Sequence, residues 1–441
     1  MLSALIWVIA TSGGNLFVKE VLGDAFDSQA EHFLHGNVYV DVEAIRPEAI
    51  VIGGEARMYF GPFPALLRVP LNFVYPGGRG RWSRLSGFFA AEIALFGFAG
   101  LVGPSLRNSS LSSRARNWVG NASVFGFVFG SPLLFLLANL SIYNEAIIWG
   151  FAWSIAALYF AVRTRDATDV ALIRALVGFS WCAGAALLSR ATFGAPFVLI
   201  AGLLFFRMKP RDRLRQLAAL LLPLGAAVTF FLLLSYAKFG NWTGNDYAHS
   251  TDSNHREFVL AHGVFDLRRV PLSFADYFSL RPPAIESSPP FVKVDRHPYS
   301  HPSLFSLPFS EVLLSVTWSS SWLLFGAGVG IACLFRRGRS DLLDRGIAAS
   351  LLIEFVGILS FFALAQRYAA DLYPFFIFCF IVFLRGSPSR WQRLVLIALI
   401  TVSSGVNFLA TASWIGSDAN LPPETRAFWN AIEGQHSDQR K

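Results

Sequence analysis

Charge is what this sequence has least of. Only 15% of its 441 residues are Asp, Glu, Lys or Arg, against about 25% in soluble chains. Cysteine is nearly absent. Cys182, Cys333 and Cys379 each sit in an apolar run and none neighbours another, so they form neither a disulfide framework nor a zinc spacing and read as small buried hydrophobes. There is no Walker A loop, no Gly-rich dinucleotide motif and no His-Glu-x-x-His. These shortages exclude a disordered, collagen-like or disulfide-stapled chain. What is present is apolar: 54% hydrophobic residues, 43 Phe and 12 Trp, with a mean hydropathy of +0.47. That composition describes an all-α polytopic membrane protein. The net charge of +8 suggests nucleic acid only if positions are ignored; the placement of the basic residues suits membrane lipids and no nucleic acid.

A helix needs about 20 mostly apolar residues to cross the hydrocarbon. Eleven stretches are expected to do so: 1–18, 85–106, 117–140, 145–162, 173–189, 191–206, 216–236, 311–335, 346–365, 371–384 and 394–412. The first begins at Met1 with no basic flank, so a start upstream is expected. It also lacks the n-region and cleavage site of a signal peptide. Loops 107–116, 163–174, 207–215, 336–345 and 385–393 together hold 18 basic residues against five acidic. Eleven crossings put all five on one side, which the positive-inside rule makes the cytoplasm. The N-terminus is then inside and the C-terminus outside.

Two sizeable extracytoplasmic loops result, 19–84 and 237–310. The chain divides into an N-terminal membrane module (1–236), the loop domain 237–310, C-terminal helices (311–412) and an outer tail (413–441). The second loop holds seven basic and seven acidic residues and reads as an ordered cover lying on the membrane. Its histidines His249, His255, His262, His297 and His301 match no standard zinc spacing.

Ionisable groups in or beside the bilayer are expensive, and they point to function. Here they gather at the outer ends of the spans: Glu92, Glu145, Arg190, Arg367 and Asp371, with Glu354 alone near a span centre. The first outer loop begins Gly23-Asp24-Ala25-Phe26-Asp27 and reads as an amphipathic helix stopping at Gly36. Asp24, Asp27 and Glu31 fall at i, i+3 and i+7, on one face. One such carboxylate suits a general base on a hydroxyl, and a second suits holding the acceptor or raising the first one's pKa; the plainer reading is a solvated face. From Pro64 a short apolar helix is expected to insert against the second span. In Gln366-Arg367-Tyr368-Ala369-Ala370-Asp371, an Arg beside a Tyr at the lipid boundary suits a phosphate headgroup; its alternative is a snorkelling anchor.

These stretches, in order, resemble the GT-C superfamily of polytopic glycosyltransferases, which includes protein mannosyltransferases and lipid A aminoarabinose transferases. The resemblance rests on the acidic loop after the first span, Ala30-x-x-x-Leu34-x-Gly36, Tyr59-Phe60-Gly61-Pro62-Phe63-Pro64-Ala65-Leu66-Leu67, Tyr143-Asn144-Glu145, Leu188-Ser189-Arg190-Ala191-Thr192 and Arg367-Tyr368. It covers most of residues 1–385. The chain departs where the usual second acid is Ala25: either Asp27 substitutes for it or the base assignment moves.

The resemblance implies a GT-C-like fold, a donor sugar on a polyprenyl phosphate, and an outer-loop Asp, Asp24 or Asp27, as base. The donor chemistry agrees, because a site facing outside cannot use cytoplasmic nucleotide sugars. Arg367, with Arg190 second, would hold the phosphate; Glu145 would orient acceptor or sugar; Glu31, Tyr368 and Asp371 complete the substrate-binding set. Displacement at the anomeric carbon would invert configuration on a lipid, glycan or protein acceptor in a bacterial inner membrane. No cofactor is required, and a divalent cation stays open. Two other classes fit the same spans: a transporter or flippase of a lipid-linked glycan, which should carry midplane charge and broken helices, and a non-catalytic membrane subunit.

Overall fold

The computed structural model describes residues 1–208, 212–294, 303–306, 313–336 and 341–432. The chain opens with α1 (Leu2–Ala10). It is much shorter than the 1–18 span expected, because the Thr11 hydroxyl turns back on the Trp7 carbonyl (2.7 Å) and Gly13 and Gly14 take left-handed φ. The first long segment then carries α2 (Ala25–Leu34), α3 (Val42–Ile45), the hairpin β1 (Ile50–Ile52) and β2 (Glu55–Arg57), and α4 (Phe63–Val74). The hairpin pairs Ile50 with Arg57 and Ile52 with Glu55.

The main bundle follows: α5 (Ser83–Arg107), α6 (Ser113–Phe129), α7 (Pro132–Ala138), α8 (Ile142–Arg163), α9 (Asp169–Ser189), α10 (Ala191–Phe206) and α11 (Arg213–Phe239). The second long segment holds α12 (Ser253–His262), α13 (Val270–Tyr277) and the short ladder of β3 (Ala284–Ile285) with β4 (Val292–Lys293). Last come α14 (Val316–Ser319), α15 (Ser321–Phe335), α16 (Leu342–Leu359), α17 (Tyr373–Arg385), α18 (Arg390–Ser417) and α19 (Pro423–Ile432). His297, His301 and the end of the expected tail, 433–441, lie outside the described residues.

The chain is a multi-pass membrane protein. Among the described residues six helices are long and apolar enough to cross, or seven with the bent pair α6 and α7 counted as one. The expected third span, 117–140, breaks by 42°, because the Ser131 hydroxyl accepts from the Leu133 N–H (3.2 Å) and starts a new helix at Pro132. The count of eleven depends on α1, α10, α15 and α16, which are shorter or more charged. Of the six, the segment Gln366–Arg385 is 83% buried and Arg213–Phe239 only 17%, so α17 is the bundle's centre and α11 its lipid-facing rim. Gly330 of α15 lies so close to the Cys379 carbonyl of α17 that a Cβ would strike the backbone, the close approach that small residues give membrane helices. Gly330→Ala is expected to force the two helices apart and cost about 1–3 kcal/mol, read as a lower thermal midpoint of the purified protein; an unchanged midpoint would refute the close approach.

All five Arg-rich loops meet at one end. Arg165 reaches Asp341 (2.8 Å) and Asp344 (2.6 Å), Arg385 reaches Asp344 (2.9 Å), and Arg207 lies 3.9 Å from Asp341. The Ser110 N–H donates to the Ser387 hydroxyl (2.9 Å). The two long segments lie at the other end. There Arg84, buried at the head of α5, donates to Glu20 (2.6 Å), to the Thr11 and Asn15 carbonyls and to Thr425 of α19 (2.6 Å). This ties the first loop and the C-terminal helix to one side chain.

Candidate functional site

The α2 helix forms where expected, with Asp24 at its N-cap and Gly36 just beyond its end in left-handed conformation. Its three carboxylates do not share a solvated face. Helix α2 lies on α4, and that contact draws Asp27 inward. Asp27, Arg68 of α4 and Glu145 of α8 have no exposed side-chain surface. The Arg68 Nη2 donates to Glu145, and its Nε lies 3.5 Å from Asp27. Burial pushes the Asp27 carboxyl above the ordinary Asp range, while Arg68 and the Asn72 amide pull against it. Asp24 is different. Its carboxylate is 37% exposed, paired with Lys19, and rests against Gly80. Glu31 pairs with Arg79 beside a cavity of about 240 Å³ that Leu34, Asn72 and Phe73 also line. Helix α4 packs chiefly on α2, with α9 and α8 beside it, and it meets the head of the second span where Asn72 accepts from the Trp82 indole (2.8 Å).

A second cluster forms where α8, α9 and the turn before α17 converge. Arg190 breaks the backbone between α9 and α10 with extended φ and ψ. Its Nε donates to Thr192 (3.0 Å) and Asp371 (3.2 Å), and Thr192 in turn donates to Asp371. The Arg190 guanidinium lies 5.0 Å above the Tyr368 ring. The Arg367 guanidinium lies 5.1 Å from the same ring and 4.4 Å from that of Tyr143. Two cations therefore share one aromatic ring. The Tyr143 hydroxyl donates to Glu48 (2.6 Å), whose other oxygen accepts from Tyr59 (2.9 Å). Burial and the Glu48 charge push the Tyr59 phenol well above its ordinary pKa, so it stays a donor. The two clusters join at the first turn of α8, where Tyr143 belongs to one and Glu145 to the other.

No family model matches the chain, and no curated protein matches it. Solved structures do. ArnT from Cupriavidus metallidurans bound to undecaprenyl phosphate matches with a TM-score of 0.50 and 14% identity, covering 98% of this chain and 67% of that one. The chain has the ArnT fold. That likeness is of architecture, and it spans the whole run of stretches that resemble the GT-C superfamily. ArnT in its apo state matches with a TM-score of 0.35 and 13% identity, covering 97% of this chain and 82% of that one.

Within this fold the expected residues divide. Arg190, Arg367, Tyr368 and Asp371 come together. Asp24 and Glu31 line the edge of the first cluster. Glu145, expected to orient acceptor or sugar, is wholly buried on Arg68, and Glu92 accepts from Ser3 of α1 (2.9 Å). Glu354 is buried in α16 with Asp371 and Arg190 as charged neighbours. Among the described residues no group of three His, Cys, Asp or Glu could hold a metal ion. Sequence reasoning missed Glu48 and Arg68. Arg68 sits inside a stretch read only as an apolar helix, where a lone Arg among Leu, Val and Pro was itself the signal. Glu48, in Arg46-Pro47-Glu48, carries no local pattern.

Proposed function

We propose that the chain is a membrane glycosyltransferase that moves a sugar from a polyprenyl-phosphate donor to an acceptor on the extracytoplasmic face, with inversion. The observation that carries this reading is the pair of guanidinia, Arg190 and Arg367, held over Tyr368 at the same end of the bundle as the acidic helix α2. ArnT bound to undecaprenyl phosphate has this fold, which supports a polyprenyl phosphate as the lipid partner. By the positive-inside rule the Arg-rich end is cytoplasmic and the clusters face outward; the resemblance to bacterial polyprenyl-phosphate-sugar enzymes makes the membrane the bacterial inner membrane. The described part of the second long segment, 237–294, covers the site and selects a lipid, glycan or protein acceptor.

Asp24 is the base, because its carboxylate reaches solvent whereas Asp27 is enclosed with Arg68. As the acceptor oxygen attacks the anomeric carbon, Asp24 takes its proton. The bond from that carbon to the phosphate oxygen breaks, and the electron pair leaves on the phosphate, whose charge Arg367 and Arg190 meet. Asp371 and Thr192 orient Arg190. The guanidinia carry the phosphate charge without a cofactor.

The test is transfer from a panel of radiolabelled polyprenyl-phosphate sugars in membranes, with and without EDTA. Wild type is expected to transfer from at least one donor, unaffected by EDTA, and Arg190→Gln, Arg367→Gln to lose most of that transfer. Polyprenyl phosphate binding without transfer from any donor would favour the non-catalytic reading instead.

A further inference from the structure

Glu48 has no part in the reaction just described, yet its carboxylate is the meeting point of three chain segments. Each oxygen accepts one phenol: Oε1 from Tyr143 (2.6 Å) and Oε2 from Tyr59 (2.9 Å). Tyr59 follows β2, and Tyr143 stands in the first turn of α8, 95 residues from Glu48. The Tyr143 ring has Arg367 on it at 4.4 Å. A phenol ring anchored at both its Cβ and its hydroxyl cannot swing, so the plane offered to the guanidinium is set by where Glu48 sits.

The second long segment holds the turn that carries Glu48. The Thr251 N–H donates to the Ala49 carbonyl (2.9 Å). Its hydroxyl faces the carbonyls of Ala49 (3.0 Å), Pro47 (3.1 Å) and Arg46 (3.4 Å). Ser250 bridges to Ile50, and its own carbonyl accepts from Arg256 at the start of α12 (2.7 Å). The turn is not at rest by itself, since Arg46 takes φ of +37°, a conformation that costs a non-glycine residue energy and persists only where neighbours impose it.

We propose that Glu48 is a positioning residue: through the Tyr143 hydroxyl it fixes the ring on which Arg367 rests, and residues 250–256 of the second outer segment hold it in place. The proposal rests on the reading of Arg367 as a phosphate ligand and deepens it, because it ties the phosphate grip to the loop that covers the site. A donor phosphate is then held fully only when that loop is seated on the turn.

The experiment is a donor titration with purified protein in detergent, reading binding of undecaprenyl phosphate and, in turnover, KM for donor and acceptor separately. Glu48→Gln, Tyr143→Phe and Thr251→Val are compared with Arg367→Gln and wild type, each first checked for an unchanged elution profile. Tyr143→Phe removes one hydroxyl and keeps the ring, so it tests the link even if Glu48→Gln fails to fold. Glu48→Gln and Tyr143→Phe are expected to weaken donor binding by up to about tenfold, the scale of a cation–π contact that keeps its ring and loses its set orientation, and to leave the acceptor KM alone. Their double variant should be no weaker than either single, as coupled residues require, and Thr251→Val should shift in the same direction by less. If Arg367→Gln weakens binding while Tyr143→Phe and Glu48→Gln do not, or if their losses add, the Glu48 proposal is overturned and the phosphate reading stands. If Arg367→Gln itself binds as wild type, the phosphate reading falls and the proposal with it.

Discussion

Arg68→Met is expected to cost about 3–5 kcal/mol of stability, the range for removing one partner from a buried ion pair. The side chain sits between Asp27 and Glu145, none of the three exposes any surface, and among the described residues Arg68 is the cation that faces both. Methionine fills a similar volume but leaves two carboxylates enclosed without a counter-charge. The measurement is the thermal midpoint of detergent-purified protein. The triple variant Asp27→Asn, Arg68→Met, Glu145→Gln should recover most of the loss, because it removes the charges together. A single variant as stable as wild type would show that the triad carries no such burden.

The same triad predicts a pH dependence with a definite sign. Burial raises the folded-state pKa of Asp27 above its unfolded value of about 3.9. Between those two values the folded state holds a proton that the unfolded state has lost, so the contribution to stability falls as pH rises through that window. Asp27→Asn should flatten this part of the profile.

The second large effect concerns activity. Asp24→Asn is expected to lower transfer by about 10²–10⁴-fold, the usual contribution of a positioned general base, while leaving the thermal midpoint near that of wild type because the carboxylate is partly solvated. Asp27→Asn should show the reverse balance, acting mainly on stability. Gly80→Ala provides an independent approach to the same carboxylate. Gly80 holds φ of +75°, and a Cβ there would collide with the Asp24 side chain. That variant should lose transfer in the same direction without replacing a titratable group. Full transfer by Asp24→Asn would move the base elsewhere.

Whatever depends on neighbours along the chain was legible in the residues themselves. Hydrophobic runs are local, so composition and run length identified a multi-pass helical membrane chain, and the Arg-rich loops were assigned to one side before any contact between them was known. The α2 helix and its stop at Gly36 follow from 3.6-residue periodicity and one glycine. The ordered stretches that resemble the GT-C superfamily matched a fold shared with ArnT. Where a helix starts or bends depends on single hydroxyls and turns, so the short α1 and the break between α6 and α7 went unread.

Tertiary structure alone decided which charges meet. Arg190 and Asp371 are 181 residues apart, Arg68 and Glu145 are 77 apart, and no periodicity connects them. The rotation of one helix against another selects the partner. On α2, three carboxylates at helical spacing gave one face on paper, but packing on α4 turned Asp27 into the interior and left Asp24 and Glu31 at the edge. Glu48 had no signal of its own. Its position acquires meaning only when a strained turn, a strand end, a helix start and a second loop are brought to one carboxylate by the fold.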